Sequence, residues 1–193
     1  PKHQLEGSLI AGKTLGIVGV GRIGRRTGEL GVALGMRVLG CVKRPSPERA
    51  DDFAGAGIEL RDLEAVVAEA DVVSIHTPLD ATTYHLFDAE VLATMKPGAV
   101  LINTARGGIV DEPAVFDSLS SGHLSTAAFD VHEHEGDGIV PRLAALPNVV
   151  VTPHIGAMAA ETQMAIGNRV VELIEAFGEG RLDEEVAEEE LVL

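Results

Sequence analysis

The sequence predicts an α/β protein built on a doubly wound parallel sheet of about six strands. Two observations carry this prediction. Short β-rich apolar runs recur with helix-like stretches between them, and several runs are apolar at consecutive positions, as in Val149–Val150–Val151. Consecutive apolar residues suit strands buried on both faces, and alternating strand and helix calls for parallel pairing through crossover connections.

Taken in order, the first run is Leu15–Val20, and a helix over Ile23–Leu34 follows it. Arg37–Val42 is the second run. A helix at Leu63–Ala70 leads into Asp71–His76, one at Asp88–Met95 into Ala99–Asn103, and one at Glu112–Leu119 into Thr126–Asp130. Val149–Thr152 is the last strand, followed by a longer helix over Met158–Phe177. Residues 1–12 read as a polar lead-in or the end of an interdomain helix, and 13–178 as one domain. Residues 179–193 read as an acidic tail carrying Asp183, Glu184, Glu185, Glu188, Glu189 and Glu190.

At 193 residues and 46% hydrophobic content the chain can bury a core of its own. Its longest stretch free of charged residues, Leu143–Ala160, is broken by Pro147 and Pro153, so no membrane span is expected. A net charge of −15 repels phosphate backbones and anionic lipid, so neither nucleic acid nor membrane is expected as a partner. Cys41 stands alone, which suits a reducing, cytoplasmic compartment.

Gly19-Val20-Gly21-Arg22-Ile23-Gly24 fits G-x-G-x-x-G between a predicted strand and a predicted helix. In that context the first glycine permits a tight turn, the second admits a pyrophosphate, and the third lets helix and strand pack closely. The helix start offers free N–H groups to the phosphates, with Arg22 and Ile23 at its first positions. This is a Rossmann-type dinucleotide site. Such sites usually place an acid after the second strand to bond the ribose 2′-OH. Here Val42 holds that place and Lys43-Arg44 follow, which favours a 2′-phosphate and hence NADP over NAD.

Three further stretches directly follow strands: Asn103-Thr104-Ala105-Arg106-Gly107-Gly108, Asp130-Val131-His132-Glu133-His134-Glu135, and Thr152-Pro153-His154-Ile155-Gly156. They gather an arginine, carboxylates and a histidine at the edge where open α/β sheets bind ligands. With the glycine loop, these stretches resemble the D-isomer-specific 2-hydroxyacid dehydrogenase family from about Gly12 to about Asn168, its glyoxylate/hydroxypyruvate reductases in particular. The resemblance implies that Arg106 clamps the substrate carboxylate, that His154 donates and accepts the proton, and that Glu135 pairs with it. It implies that Asp130 bonds the nicotinamide carboxamide, that Thr77-Pro78 and Thr104-Ala105 border the ring, and that two copies form a homodimer. Arg106 suits its role, since a guanidinium grips a carboxylate through two parallel hydrogen bonds.

The chain departs from the family pattern at Gly136, where proline is usual, and at Met158, where a small hydroxyl residue is common. The substrate domain is expected to be absent from this chain. His132, Glu133 and His134 could suggest a metal, but no matching third cluster exists, so an ordinary loop and no metal are expected. His76 is expected to pack the cofactor edge. The principal reading is hydride transfer between NAD(P)H and a small 2-keto acid. The alternative is a dinucleotide-sensing module without turnover, like the dehydrogenase-related corepressors.

Overall fold

A computed structural model describes residues 7–44, 47–136 and 138–181, with nothing said of the Glu48 side chain. Residues 1–6 of the lead-in, Pro45 and Ser46, Asp137, and residues 182–193 of the acidic tail lie outside the described residues. The chain divides into two compact units, one ending at Pro153 and one beginning at His154.

The first unit is a fully parallel seven-stranded sheet. Its strands are β1 (Thr14–Val18), β2 (Arg37–Cys41), β3 (Ile58–Leu60), β4 (Val72–Ile75), β5 (Ala99–Asn103), β6 (Leu124–Phe129) and β7 (Val149–Val151). They lie in the order β3-β2-β1-β4-β5-β6-β7. The connecting helices are α1 (Arg22–Ala33), α2 (Pro47–Gly55), α3 (Leu63–Glu69), α4 (Ala89–Thr94) and α5 (Glu112–Ser120). The six expected strands are all present. The seventh, β3, and the helix α2 before it correct the expected count. β3 is a three-residue edge strand, too short to stand out as a run, and its exposed Glu59 interrupts Ile58 and Leu60. β6 begins at Leu124, two residues before the predicted Thr126, and its pairing with β5 shifts register between Ala99 and Val100.

β1 sorts its side chains to two cores. Leu15 and Ile17 join Val38, Phe53 and Ile58 on one face, while Val18 joins Leu39 and the residues of α3, α4 and α5 on the other. This is the alternation a central strand needs when helices cover both sides. Fully buried side chains such as Ile17, Leu39 and Leu101 each contribute about 1.5–3 kcal/mol over the exposed state.

α1 packs through its glycines. A Cβ at Gly28 would lie 2.7 Å from Ile58 Cδ1, and one at Gly31 2.7 Å from Leu15 Cδ2. The helix therefore rests its backbone on the sheet, and its start is drawn close to the end of β1. Three other helices begin on an aspartate cap: Asp62, Asp88 and Asp111 accept the N–H of Ala65, Val91 and Ala114. In the second unit, α6 (Ala160–Gly178) starts two residues after the predicted Met158. Among the described residues no helix is long and apolar enough to cross a membrane.

Candidate active site

Parallel pairing brings the C-terminal ends of β2, β1, β4, β5 and β6 into one row, so the loops that follow them share an edge. The order reverses between β1 and β4, where open sheets leave a crevice.

The glycine loop opens that crevice. Gly19 has φ +96°, and a Cβ there would lie 2.8 Å from the backbone of His76 and Thr77 at the end of β4. At Gly24 a Cβ would come within 2.1 Å of the Gly19 carbonyl oxygen, so the first turn of α1 closes only without it. Gly21, the N-cap of α1, is different: a Cβ there would meet nothing within 4 Å. The fold explains the first and third glycines. The second faces open space, as a loop must if a pyrophosphate is to approach its backbone. These residues fit a dinucleotide, with Arg22 and Ile23 exposed at the helix start. Burial pushes the Cys41 thiol up, so the group beside Gly19 stays uncharged at neutral pH.

Val42 packs partly buried against the core beneath β2, and Lys43 and Arg44 follow it as exposed residues. Thr77 and Pro78 follow β4. The carbonyl of Pro78 accepts a hydrogen bond from the buried Thr83 hydroxyl at 2.7 Å. His76 Nε2 lies 2.9 Å from the Ser74 hydroxyl, and burial lowers the imidazole pKa from its ordinary 6.5.

After β5 the chain turns on a buried side chain. Asn103, 1% exposed, accepts the Ala105 N–H at 3.1 Å and donates to the Arg106 carbonyl at 2.9 Å. These two bonds fix the path of Thr104 and Ala105 and present Arg106 at the surface. Its Nη1 donates to the Ala105 carbonyl at 2.7 Å. Gly107 then starts a short 3-10 helix, Gly107–Ile109. A Cβ at Gly107 would lie 1.9 Å from the His132 carbonyl oxygen, so the loops after β5 and β6 touch backbone to backbone.

The loop after β6 begins with Asp130, 6% exposed, whose carboxylate accepts the Thr152 hydroxyl. Glu135 accepts the N–H of His132 at 2.9 Å, closing a turn over 132–135. Glu133 and Glu112 bind each other's backbone: the Glu133 N–H donates to Glu112 Oε1 at 2.9 Å, and the Glu112 N–H to Glu133 Oε1 at 3.4 Å. His85 Nε2 adds a contact of 3.0 Å to Glu133, from a backbone held at φ +49°. The buried His132 places Nε2 3.3 Å from the Thr152 carbonyl and Nδ1 3.6 Å from Glu112. Residues 132–134 lie in a loop, with His132 buried, Glu133 partly buried and His134 exposed. Gly136 has φ +153°, which proline, locked near −65°, cannot adopt. The backbone at this position is therefore one that the usual proline could not take.

The structure brings Arg106, Asp130 and Glu135 onto neighbouring loops of the first unit. His154 opens the second unit, exposed and with φ +55°, uncommon for a residue with a Cβ. Sequence reasoning passed over Asn103, Glu112, Glu133 and His85 as site residues. A carboxamide at the buried end of a strand was the one signal in view, because Glu112 and Glu133 bind distant backbone groups and His85 meets the distant Glu133 carboxylate. Among the described residues no group of three or more His, Cys, Asp or Glu is arranged to hold a metal ion.

Comparison with known proteins agrees with this geometry. Hydroxypyruvate reductase of Thermotoga maritima is 39% identical over 175 residues, covering 90% of this chain and 55% of that protein. D-3-phosphoglycerate dehydrogenase of Mycobacterium tuberculosis is 42% identical over 173 residues, covering 90% of this chain and 32% of that one. The crystal structure of D-lactate dehydrogenase from Aquifex aeolicus, complexed with NAD and lactic acid, matches with a TM-score of 0.84 at 31% identity. That match covers 95% of this chain and 58% of the other. The chain thus spans between a third and somewhat over half the length of these relatives. The sequence profile of the D-isomer specific 2-hydroxyacid dehydrogenase NAD binding domain matches residues 1–156, and the chain belongs to that family.

Proposed function

We propose that the chain, residues 13–178 above all, is the cofactor-binding part of an oxidoreductase. The enzyme moves a hydride between NAD(P)H and a small 2-keto acid or D-2-hydroxy acid. The observation that carries this reading is Gly21, whose Cβ would meet nothing within 4 Å, on the same sheet edge as the Arg106 and Asp130–Glu135 loops. The family's hydroxypyruvate reductase, D-3-phosphoglycerate dehydrogenase and D-lactate dehydrogenase relatives support it.

When bound, the dinucleotide supplies the hydride at its nicotinamide ring. Gly19, Gly21, Arg22, Ile23 and Gly24 hold its phosphates. Thr77, Pro78, Thr104 and Ala105 border the nicotinamide, and Asp130 orients its carboxamide. Arg106 clamps the substrate carboxylate and polarises the adjoining carbonyl. The family resemblance gives His154 the role of proton donor to the nascent alkoxide, and Glu135 the role of the acid paired with it. Lys43 and Arg44 favour NADP over NAD. This preference points to glyoxylate or hydroxypyruvate reduction, in a homodimer working in a reducing compartment such as the cytoplasm.

The test is calorimetric titration of this chain with NADPH and with NADH, followed by steady-state assay of the whole protein on glyoxylate, hydroxypyruvate, lactate and phosphoglycerate. Tighter NADPH and a higher kcat/KM for the first two acids are expected. Cofactor binding with no turnover of any of these acids would transfer the chain to the sensing reading.

A further inference from the structure

The loops after β2 and β4 meet, although β1 separates their strands. Lys43 Nζ donates to the Thr82 hydroxyl at 2.9 Å and lies 3.8 Å from Asp80 Oδ2. Strands separated by one neighbour are roughly 9.6 Å apart, so this contact must arch over the end of β1 and the glycine loop that begins there. Asp80 is held in place on its own loop. Its Oδ1 accepts both the N–H and the hydroxyl of Thr82 at 2.6 Å, and its N–H donates to the buried Thr83 hydroxyl at 2.7 Å. The Thr82 hydroxyl and N–H hold the Asp80 carboxyl below the usual carboxylate range, so it is ionised at neutral pH.

Lys43 was expected to attract a 2′-phosphate. The structure sets an ionised carboxylate beside it, delivered from the far side of the crevice. Val42 leaves the usual acid's place empty of charge, so the negative charge at this point comes from the β4 loop.

We propose that Asp80 is a determinant of cofactor choice, competing with the ribose 2′-phosphate for Lys43. The proposal rests on the reading of the chain as an NAD(P)-binding domain. A 2′-phosphate that reaches Lys43 must share the ammonium with Asp80 and sit beside a charge of its own sign. A 2′-hydroxyl bears neither cost. Asp80 thereby holds the preference for NADPH below what Lys43 and Arg44 would give alone. Both partners are exposed and screened by solvent, so the effect is a modest factor rather than an on–off gate.

The experiment is calorimetric titration of this chain with NADPH and NADH, as the parent, as Asp80→Asn, and as Asp80→Asn combined with Lys43→Met. Asparagine keeps the oxygen that accepts from Thr82, so the loop keeps its turn. The single variant should bind NADPH about fivefold more tightly, with NADH unchanged within about twofold. The gain should vanish in the double variant, when compared with Lys43→Met alone. Unchanged NADPH affinity in Asp80→Asn would overturn the proposal. So would weaker NADH binding instead, which would make Asp80 a ribose ligand, or a gain that survives the loss of Lys43. A parent chain that binds neither dinucleotide sinks the cofactor reading and this proposal together. A parent that binds both, with Asp80→Asn moving neither, sinks the proposal alone.

Discussion

Arg37, at the start of β2, joins Glu59 at 3.0 Å and Glu69 at 2.9 Å, whereas Asn103, at the end of β5, gives its whole carboxamide to backbone atoms. The contrast extends along both edges of the sheet. At the N-terminal edge Asp71 accepts Lys96 at 3.0 Å and the Thr14 N–H at 2.7 Å, tying β1 and β4 to the turn before β5. At the C-terminal edge Thr83, Glu112, Glu133 and Glu135 all bind backbone groups of loops. Exposed ion pairs steady an edge that secondary structure already defines, and each adds little. Side chain-to-backbone bonds do something else: they set the course of loops that have no ladder of their own. That is what a site built on loops requires.

The largest expected effect separates steric need from ligand need within one turn. Gly24→Ala should cost about 3 kcal/mol in denaturant unfolding, because its Cβ falls on the Gly19 carbonyl. Gly21→Ala should leave the unfolding midpoint unchanged and weaken NADPH and NADH by at least about tenfold, since its Cβ enters only the crevice. Parent-like cofactor binding by Gly21→Ala would break the distinction.

Next comes Asn103→Ala, which should cost about 2 kcal/mol through two lost part-buried bonds and the loss of a buried side chain. In the whole protein it should lower kcat/KM further than Asp71→Asn does, because it frees the loop that presents Arg106. Equal losses from the two variants would show that the edges do not differ.

The smallest effect sharpens the comparison through pH. Burial lowers the His76 pKa, so the unfolded chain takes up that proton first, and stability falls as pH drops below about 6.5. Asp71 is the opposite case. Burial acts against its charge, but the Thr14 N–H and Lys96 prevail and lower its pKa. Its contribution is therefore complete above about 3.8 and is lost as pH falls through the lower folded value. Urea midpoints at pH 7.5 and 5.5 should thus draw closer together in His76→Gln than in the parent. Asp71→Asn should keep the parent's difference, at a cost under about 1 kcal/mol. A His76→Gln profile as steep as the parent's would remove His76 from the account.

The strands that carry consecutive apolar residues were legible in the sequence, down to the three valines of β7, and so was the place of the glycine loop between strand and helix. β3 was not, because three residues with a solvent-facing glutamate carry no run. Its one signal was the alternation Ile58-Glu59-Leu60 directly after Gly57, which has φ +78°. α2 was hidden because its start coincides with a proline-rich turn, although Pro47 is well suited to a first helical position. Arg106, Asp130 and Glu135 were legible as candidates because motifs name them. The residues that hold their loops were not, since Asn103, Glu112 and Glu133 act on backbone atoms, which carry no letter in a sequence.

The closeness of Gly107 to the His132 carbonyl bears on motion as well as on shape. With no room for even a methyl group between them, the Arg106 loop and the Asp130–Glu135 loop cannot slide past each other. They are expected to open to solvent together, and native-state hydrogen exchange checks this: amides of the two loops should exchange with one opening free energy. Breathing at this edge would then displace the guanidinium and the carboxylates as a group.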